Sequence, residues 1–175
     1  MEESVRYPIG PFQPPASYSE EWRQEAIERI AAMPNVLRNA VSGLVSQQLD
    51  TEYRPGGWTV RQVVHHLADS HLNAYVRFKL ALTEDRPTIK PYDQAKWAEL
   101  ADARSAPVEL SLEILDGVHA RWTLLLRGMT VSDFGRQYHH PETGTHTLDY
   151  MLAMYSWHGA HHTEQIVRLR QRMNW

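Results

Sequence analysis

The sequence predicts an all-α protein, a four-helix bundle with a small β-hairpin before its last helix. Four long segments repeat their apolar residues at helical spacing, and short connections join them, the arrangement from which antiparallel bundles are built. The 175 residues fit one domain, residues 1–175, with no internal repeat or low-complexity tract to suggest a second.

The elements follow in order. Residues 7–16, YPIGPFQPPA, hold four prolines and read as part of an extended arm, residues 1–16. Ser17, three before Glu20, offers a capping box for a first helix. That helix runs through EEWRQEAIERIAAM, is interrupted or restarted at Pro34, and continues through VLRNAVSGLV to about Leu49. TEYRPGGWT is a loop broken by Pro55, Gly56 and Gly57, with Thr59 as the next N-cap. A second helix from Val60 to about Thr83 carries the stripe Val60, Val63, Val64, Leu67, His71, Ala74, Tyr75, Phe78, Leu82. After the loop EDRPTIKPYD, the stretch DQAKWAELADAR forms a short helix. Pro107 then starts a third long helix, with Val108, Leu112, Leu115, His119, Trp122, Leu126 and Met129 on one face. FGRQYHHPETGTHTL reads as two short strands around a Glu-Thr-Gly turn, and Thr147 caps a last helix that runs to about Met173.

Composition narrows the function classes. A net charge of −3 and a pI near 6.4 argue against a general nucleic-acid or membrane-surface binder. The one basic run, Arg168, Arg170 and Arg172, falls at the end of a helix, where cations suit the macrodipole. With no cysteine there are no disulfides, no thiolate metal sites and no cysteine nucleophile. The N-terminal MEESVRYPIG has no basic or apolar leader pattern, so a soluble cytoplasmic protein is expected. Histidine is the outlier, at ten copies against three phenylalanines.

The face each histidine occupies carries the chemistry. On the last helix Leu148, Met151, Leu152 and Tyr155 precede a gap, and Ile166, Leu169 and Met173 follow it. His158 and His162 fill that gap one turn apart, whereas His161 lies roughly 100° round the helix. A buried imidazole without a partner costs about 1–3 kcal/mol. Two stacked in a core are therefore either hydrogen-bonded to neighbours or aimed at one metal, as the i, i+4 spacing allows. Zinc normally takes at least three protein ligands, and VVHHLADSH offers a third in His65 or His66. These flank the stripe on opposite sides, so periodicity does not choose between them, and His71 sits farther along.

Rival metal motifs fail on spacing. Gly159 follows His158 where a zincin requires its catalytic glutamate, and position 62 is glutamine where a di-iron bundle would need Glu-x-x-His. What remains is a mononuclear all-histidine site. Three neutral imidazoles leave the +2 charge intact and one position open, which lowers the pKa of a bound water or thiol towards neutrality. His119 is read as a core histidine, or as one that supports the site or touches substrate. Asp69 and Glu164 are solvated helix charges, or else orient a ligand histidine. Trp58 and Trp157 are expected in the core.

The segments YPIG, GGWTVRQVVHHLADSH, RFKLALTE and YSWHGAHH, with the ending QRMNW, resemble the YfiT group of the DinB superfamily over essentially the whole chain. These proteins are described as metal-dependent hydrolases and are related to bacillithiol S-transferases. The resemblance implies a four-helix bundle, usually homodimeric, with one divalent metal per subunit held by three histidines. Carried over by position, these are His66 (before Leu67), His158 and His162. Zn2+ is the leading metal, with Ni2+, Fe2+ or Mn2+ as alternatives. Two enzyme readings follow: hydrolysis of a small molecule by activated water, and transfer of a low-molecular-weight thiol. A third is a non-catalytic, stress-associated metal-binding protein, whose closed site would need a fourth ligand from His65, His71 or His161.

Overall fold

A computed structural model describes residues 5–175; the first four residues of the arm lie outside the described residues. Four long helices form the bundle: α1 (Glu20–Val41), α3 (Val60–Thr83), α6 (Val108–Arg127) and α8 (Leu148–Met173). Between them run the short helices α2 (Ser46–Leu49), α4 (Gln94–Ala98), α5 (Ala101–Ser105) and α7 (Val131–Phe134). The strands β1 (Gln137–His140) and β2 (Gly144–Thr147) pair antiparallel, with Tyr138 opposite His146. This is the hairpin expected before the last helix. Among the described residues, no helix is long and apolar enough to cross a membrane.

The first helix differs from the sequence expectation in three ways. Its cap is Ser19, not Ser17, because Ser19 Oγ accepts the Trp22 amide. Pro34 lies inside a continuous helix and neither interrupts nor restarts it. The helix stops at Val41, short of Leu49, where Gly43 turns the chain at a φ of +77° and α2 begins separately. The DQAKWAELADAR segment is likewise two helices, since Leu100 adopts an extended backbone between α4 and α5.

The bundle is not a simple up-and-down one. Helix α1 packs on α6 and α8, and α3 packs on the same two. Helices α1 and α8 run in the same direction, as Arg23 meets Asp149 near one end and Arg170 reaches the Ala40 carbonyl near the other. Helices α3 and α6 are also parallel, with His65 beside Ser111 and His71 beside His119. The segment carrying α4 and α5 makes the return between them.

The side chains fill the bundle as two apolar clusters. One centres on Phe78, Trp122, Leu126 and Leu152, the other on Leu37, Val63, Leu67, Leu115 and Ile166. A layer of histidines lies between them, because residues 66–71 of α3 separate Val63 from Phe78, and residues 158–162 of α8 separate Leu152 from Ile166. All three arginines of the basic run serve structure. Arg170 donates to the carbonyls of Ala40 and Ser42 at the end of α1, Arg172 to that of Tyr53, and Arg168 pairs with Glu164.

Candidate metal centre

Thr59 starts α3 with a reciprocal cap: its hydroxyl accepts the Gln62 amide, and Gln62 Oε1 accepts the Thr59 amide. With the helix so registered, the two adjacent histidines face different neighbours. His65 turns to α6 and is satisfied there, with Nδ1 2.7 Å from Ser111 Oγ and Nε2 3.1 Å from the Ala106 carbonyl. His66 turns to α8, where its Nε2 lies 3.2 Å from His158 Nε2. One ring nitrogen from each of His66, His158 and His162 falls within 4.8 Å of the others. Those are the three histidines the family resemblance singled out, and the structure brings them together.

The arrangement fits a metal ion. Tetrahedral zinc with Zn–N bonds of about 2.0–2.1 Å sets its ligand nitrogens roughly 3.3 Å apart. Burial pushes His66 down to about 4, and burial together with neighbouring imidazoles holds His158 and His162 well below the ordinary histidine range. All three rings are therefore neutral at pH 7 and present lone pairs, the state a divalent cation requires.

The surrounding residues hold these rings in place. Gln165 Oε1 accepts from His162 Nδ1 at 2.8 Å, which leaves the other nitrogen of His162 for the cluster. The Trp58 ring lies 4.6 Å from that of His66 and 6.3 Å from that of His162, so Trp58 walls the site while remaining only partly buried. His158 Nδ1 faces His71 Nε2 at 3.2 Å, and His71 Nδ1 faces His119 Nε2 at 2.9 Å. His119 is thus a buried core histidine one ring removed from His158. Glu164 pairs with Arg168 at 2.6 Å and orients no histidine, and Asp69, half-buried, is pushed up to about 6 mainly by desolvation.

His161 is more buried than its angle on the helix implies, because the N-terminal arm covers that side. Its ring stacks on Trp157 at 4.4 Å and meets Tyr7 at 5.6 Å, and the Gln165 amide donates to its Nε2. Trp157 donates to the Gly10 carbonyl and contacts Phe12, so it seals the arm against α8 rather than packing the bundle interior. Gln165 was legible only as the residue three after His162; nothing in the sequence marked the arm as its second partner.

Two cavities meet at His158. The larger, about 630 Å3, is lined by Ser70, Arg77, Tyr92, His140, Tyr155 and His158 among others. The smaller, about 340 Å3, is walled by Tyr53, Arg54, Trp58, Trp157, His158 and His162. His158 belongs to both. His162 opens only on the smaller cavity, and His66 lies buried behind them, so a small molecule would reach the cluster from the His158 and His162 side.

Fold and cluster together define a class: helical bundles that can hold one divalent metal on three histidines within the bundle. The chain belongs to the DinB superfamily, whose family model matches residues 29–166. A protein of Bacillus cereus strain B4264, named "putative metal-dependent hydrolase", is 52% identical over 171 residues, covering 98% of each chain. A Bacillus mycoides relative of the same name is 50% identical over the same length. Among solved structures, YfiT from Bacillus subtilis matches with a TM-score of 0.96 at 48% identity, over 98% of this chain and 99% of that one. It is described as a probable metal-dependent hydrolase with an unusual four-helix bundle topology.

Proposed function

We propose that the protein is a metal-dependent hydrolase of small molecules, with one divalent ion per subunit, zinc foremost, held by His66, His158 and His162. The observation that carries this reading is the convergence of three neutral imidazole nitrogens, with His158 opening on both cavities and His162 on the smaller one. The residues that could close the site are engaged elsewhere. His65 is tied to Ser111 and Ala106, His71 to His119 and His158, and His161 to Gln165. A position left for water or substrate supports catalysis over a structural metal.

The bound ion supplies a Lewis acid that lowers the pKa of water and polarises a carbonyl. The chain supplies the rest. Gln165 holds His162, Trp58 backs His66, and the larger cavity presents the Tyr92 phenol, the Arg77 guanidinium and the Tyr155 ring to a substrate. Arg77 is braced by donating to the Lys90 carbonyl at 2.9 Å, which fixes a cation on the cavity wall.

Metal-loaded protein incubated with model esters and amides, with and without chelator, tests the reaction. Chelator-sensitive hydrolysis supports the proposal. Chelator-sensitive thioether formation from a small thiol and an electrophile, without hydrolysis, replaces it by thiol transfer, and inertness in both replaces it by a metal-binding role. Metal analysis of untagged protein checks the ligands: His158→Ala and His66→Ala are expected to lose the bound metal. A homodimer belongs to the same proposal, and light scattering is expected to return twice the chain mass of 20.3 kDa.

A further inference from the structure

Pro34 stands in the middle of α1, buried, where proline costs about 3 kcal/mol in a helix. A helical carbonyl accepts from the amide four residues on, so the donor that Pro34 removes is the one owed to Ile30. The pyrrolidine ring also displaces the carbonyl four residues before it. A buried carbonyl left unpaired would add a further penalty. The Ile30 carbonyl is not left unpaired: His119 Nδ1, on the facing helix α6, lies 2.6 Å away.

A carbonyl can only accept, so the proton of His119 is on Nδ1. Both rings are enclosed in the bundle, and their hydrogen-bond partners are other imidazoles and a carbonyl with no carboxylate among them, so each is neutral. His119 Nε2 is then an acceptor, and the nitrogen 2.9 Å from it, His71 Nδ1, must donate. His71 Nε2 becomes an acceptor in turn, and His158 Nδ1 donates to it across 3.2 Å. Each ring passes the same direction to the next. At the end His158 carries its proton on Nδ1 and its lone pair on Nε2, which faces His66 Nε2. The opposite order would place a proton on His158 Nε2, where it would block a metal.

We propose that Ile30, His119 and His71 form a directed hydrogen-bond chain that fixes the tautomer of His158 for metal binding, and that Pro34 frees the carbonyl on which the chain is anchored. His71 and His119 are positioning residues in this scheme, acting through His158. The purpose of the chain rests on the metal-binding reading above; its proton order does not. The rings are packed for the role: His71 is 0% and His119 1% exposed, and their planes stack within 18° at 5.0 Å. His162 obtains the same result by another route. The Gln165 amide nitrogen donates to the Arg6 carbonyl at 2.9 Å, which turns its oxygen towards His162 Nδ1.

Long-range 1H–15N correlation spectra of the labelled, metal-free protein read the tautomers directly. His119, His71 and His158 are each expected to be protonated at Nδ1, and a proton on Nε2 of His71 or His158 overturns the chain. Metal affinity, read by zinc competition against a chromophoric chelator, tests its purpose. His71→Phe is expected to bind zinc about 10–100-fold more weakly. His119→Gln, whose amide can donate to Ile30 and accept from His71, is expected to retain wild-type affinity. Pro34→Ala, which restores a competing amide for Ile30, is expected to melt at a higher temperature yet bind zinc more weakly. If His71→Phe melts lower but binds zinc as wild type does, the chain is structural and the proposal fails. Should His71→Phe not fold, the wild-type spectrum and His119→Gln decide. A wild-type protein that binds no metal refutes the functional reading, while the spectrum still judges the proton order.

Discussion

A methyl group at Gly159 would lie 2.7 Å from Met33 Cγ and 3.4 Å from His71 Cε1. The glycine after His158 thus sits tight against Met33 of α1 and the His71 ring, and this position has no room for the glutamate of a zincin. Gly159→Ala should destabilise the fold by about 1–3 kcal/mol through overpacking, measured as a lower urea midpoint. The damage should extend to zinc affinity, because the methyl pushes on His71. At this scale the sequence was informative where a residue broke a pattern. His158 and His162 were legible as a gap in an apolar stripe. The choice between His65 and His66 was not, since it depends on which neighbour each flank of α3 faces, α6 or α8.

Helix limits were legible where a cap was unambiguous. Thr59 and Thr147 each accept the amide three residues on, and α3 and α8 begin directly after them. Thr59→Ala should cost about 1 kcal/mol of stability, read by thermal or urea denaturation. The first helix was harder to read because Pro34 argues locally for a break, whereas its helical neighbours and the packing of α1 against α6 and α8 keep the segment continuous. The arm was misjudged for a related reason: proline content predicts an extended backbone, whereas residues 5–9 form a helical turn, with the Gly10 amide donating to the Tyr7 carbonyl. Nor does proline content reveal the surface that the arm covers. Between elements, Arg23 grips Asp149 through two hydrogen bonds of 2.7 Å each, both side chains largely shielded from solvent. Removing the carboxylate in Asp149→Ala strands the guanidinium, and about 3 kcal/mol or more should be lost. A urea series on that variant checks it.

For the whole molecule, the histidine layer makes stability depend on pH. The unfolded chain takes up protons near pH 6.5, the ordinary histidine value, whereas folded His66 and His161 do so only near 4. Between those values the unfolded state binds more protons, so stability of the metal-free protein falls as pH falls through that window and is fully present above it. Denaturation of metal-free protein at a series of pH values should show this loss, and zinc should oppose it by holding the rings deprotonated. The architecture itself was legible as four amphipathic helices. Their order was not, because an apolar stripe records that a face is buried without recording which helix buries it.

That order has a consequence for how the chain acquires its structure. Helix α8 closes the bundle against α1, through contacts such as Arg23 with Asp149, which are 126 residues apart in sequence. Neighbour-to-neighbour contacts, which let simple helical bundles fold fast, are a smaller share of what holds this one. A growing polypeptide exposes the apolar faces of α1, α3 and α6 until α8 has been synthesised, and α8 brings two of the three clustered histidines with it. The centre is therefore complete only once α8 has docked on the rest of the bundle. Zinc in the refolding buffer should leave the refolding rate unchanged and slow unfolding, the kinetic mark of contacts made after the rate-limiting barrier.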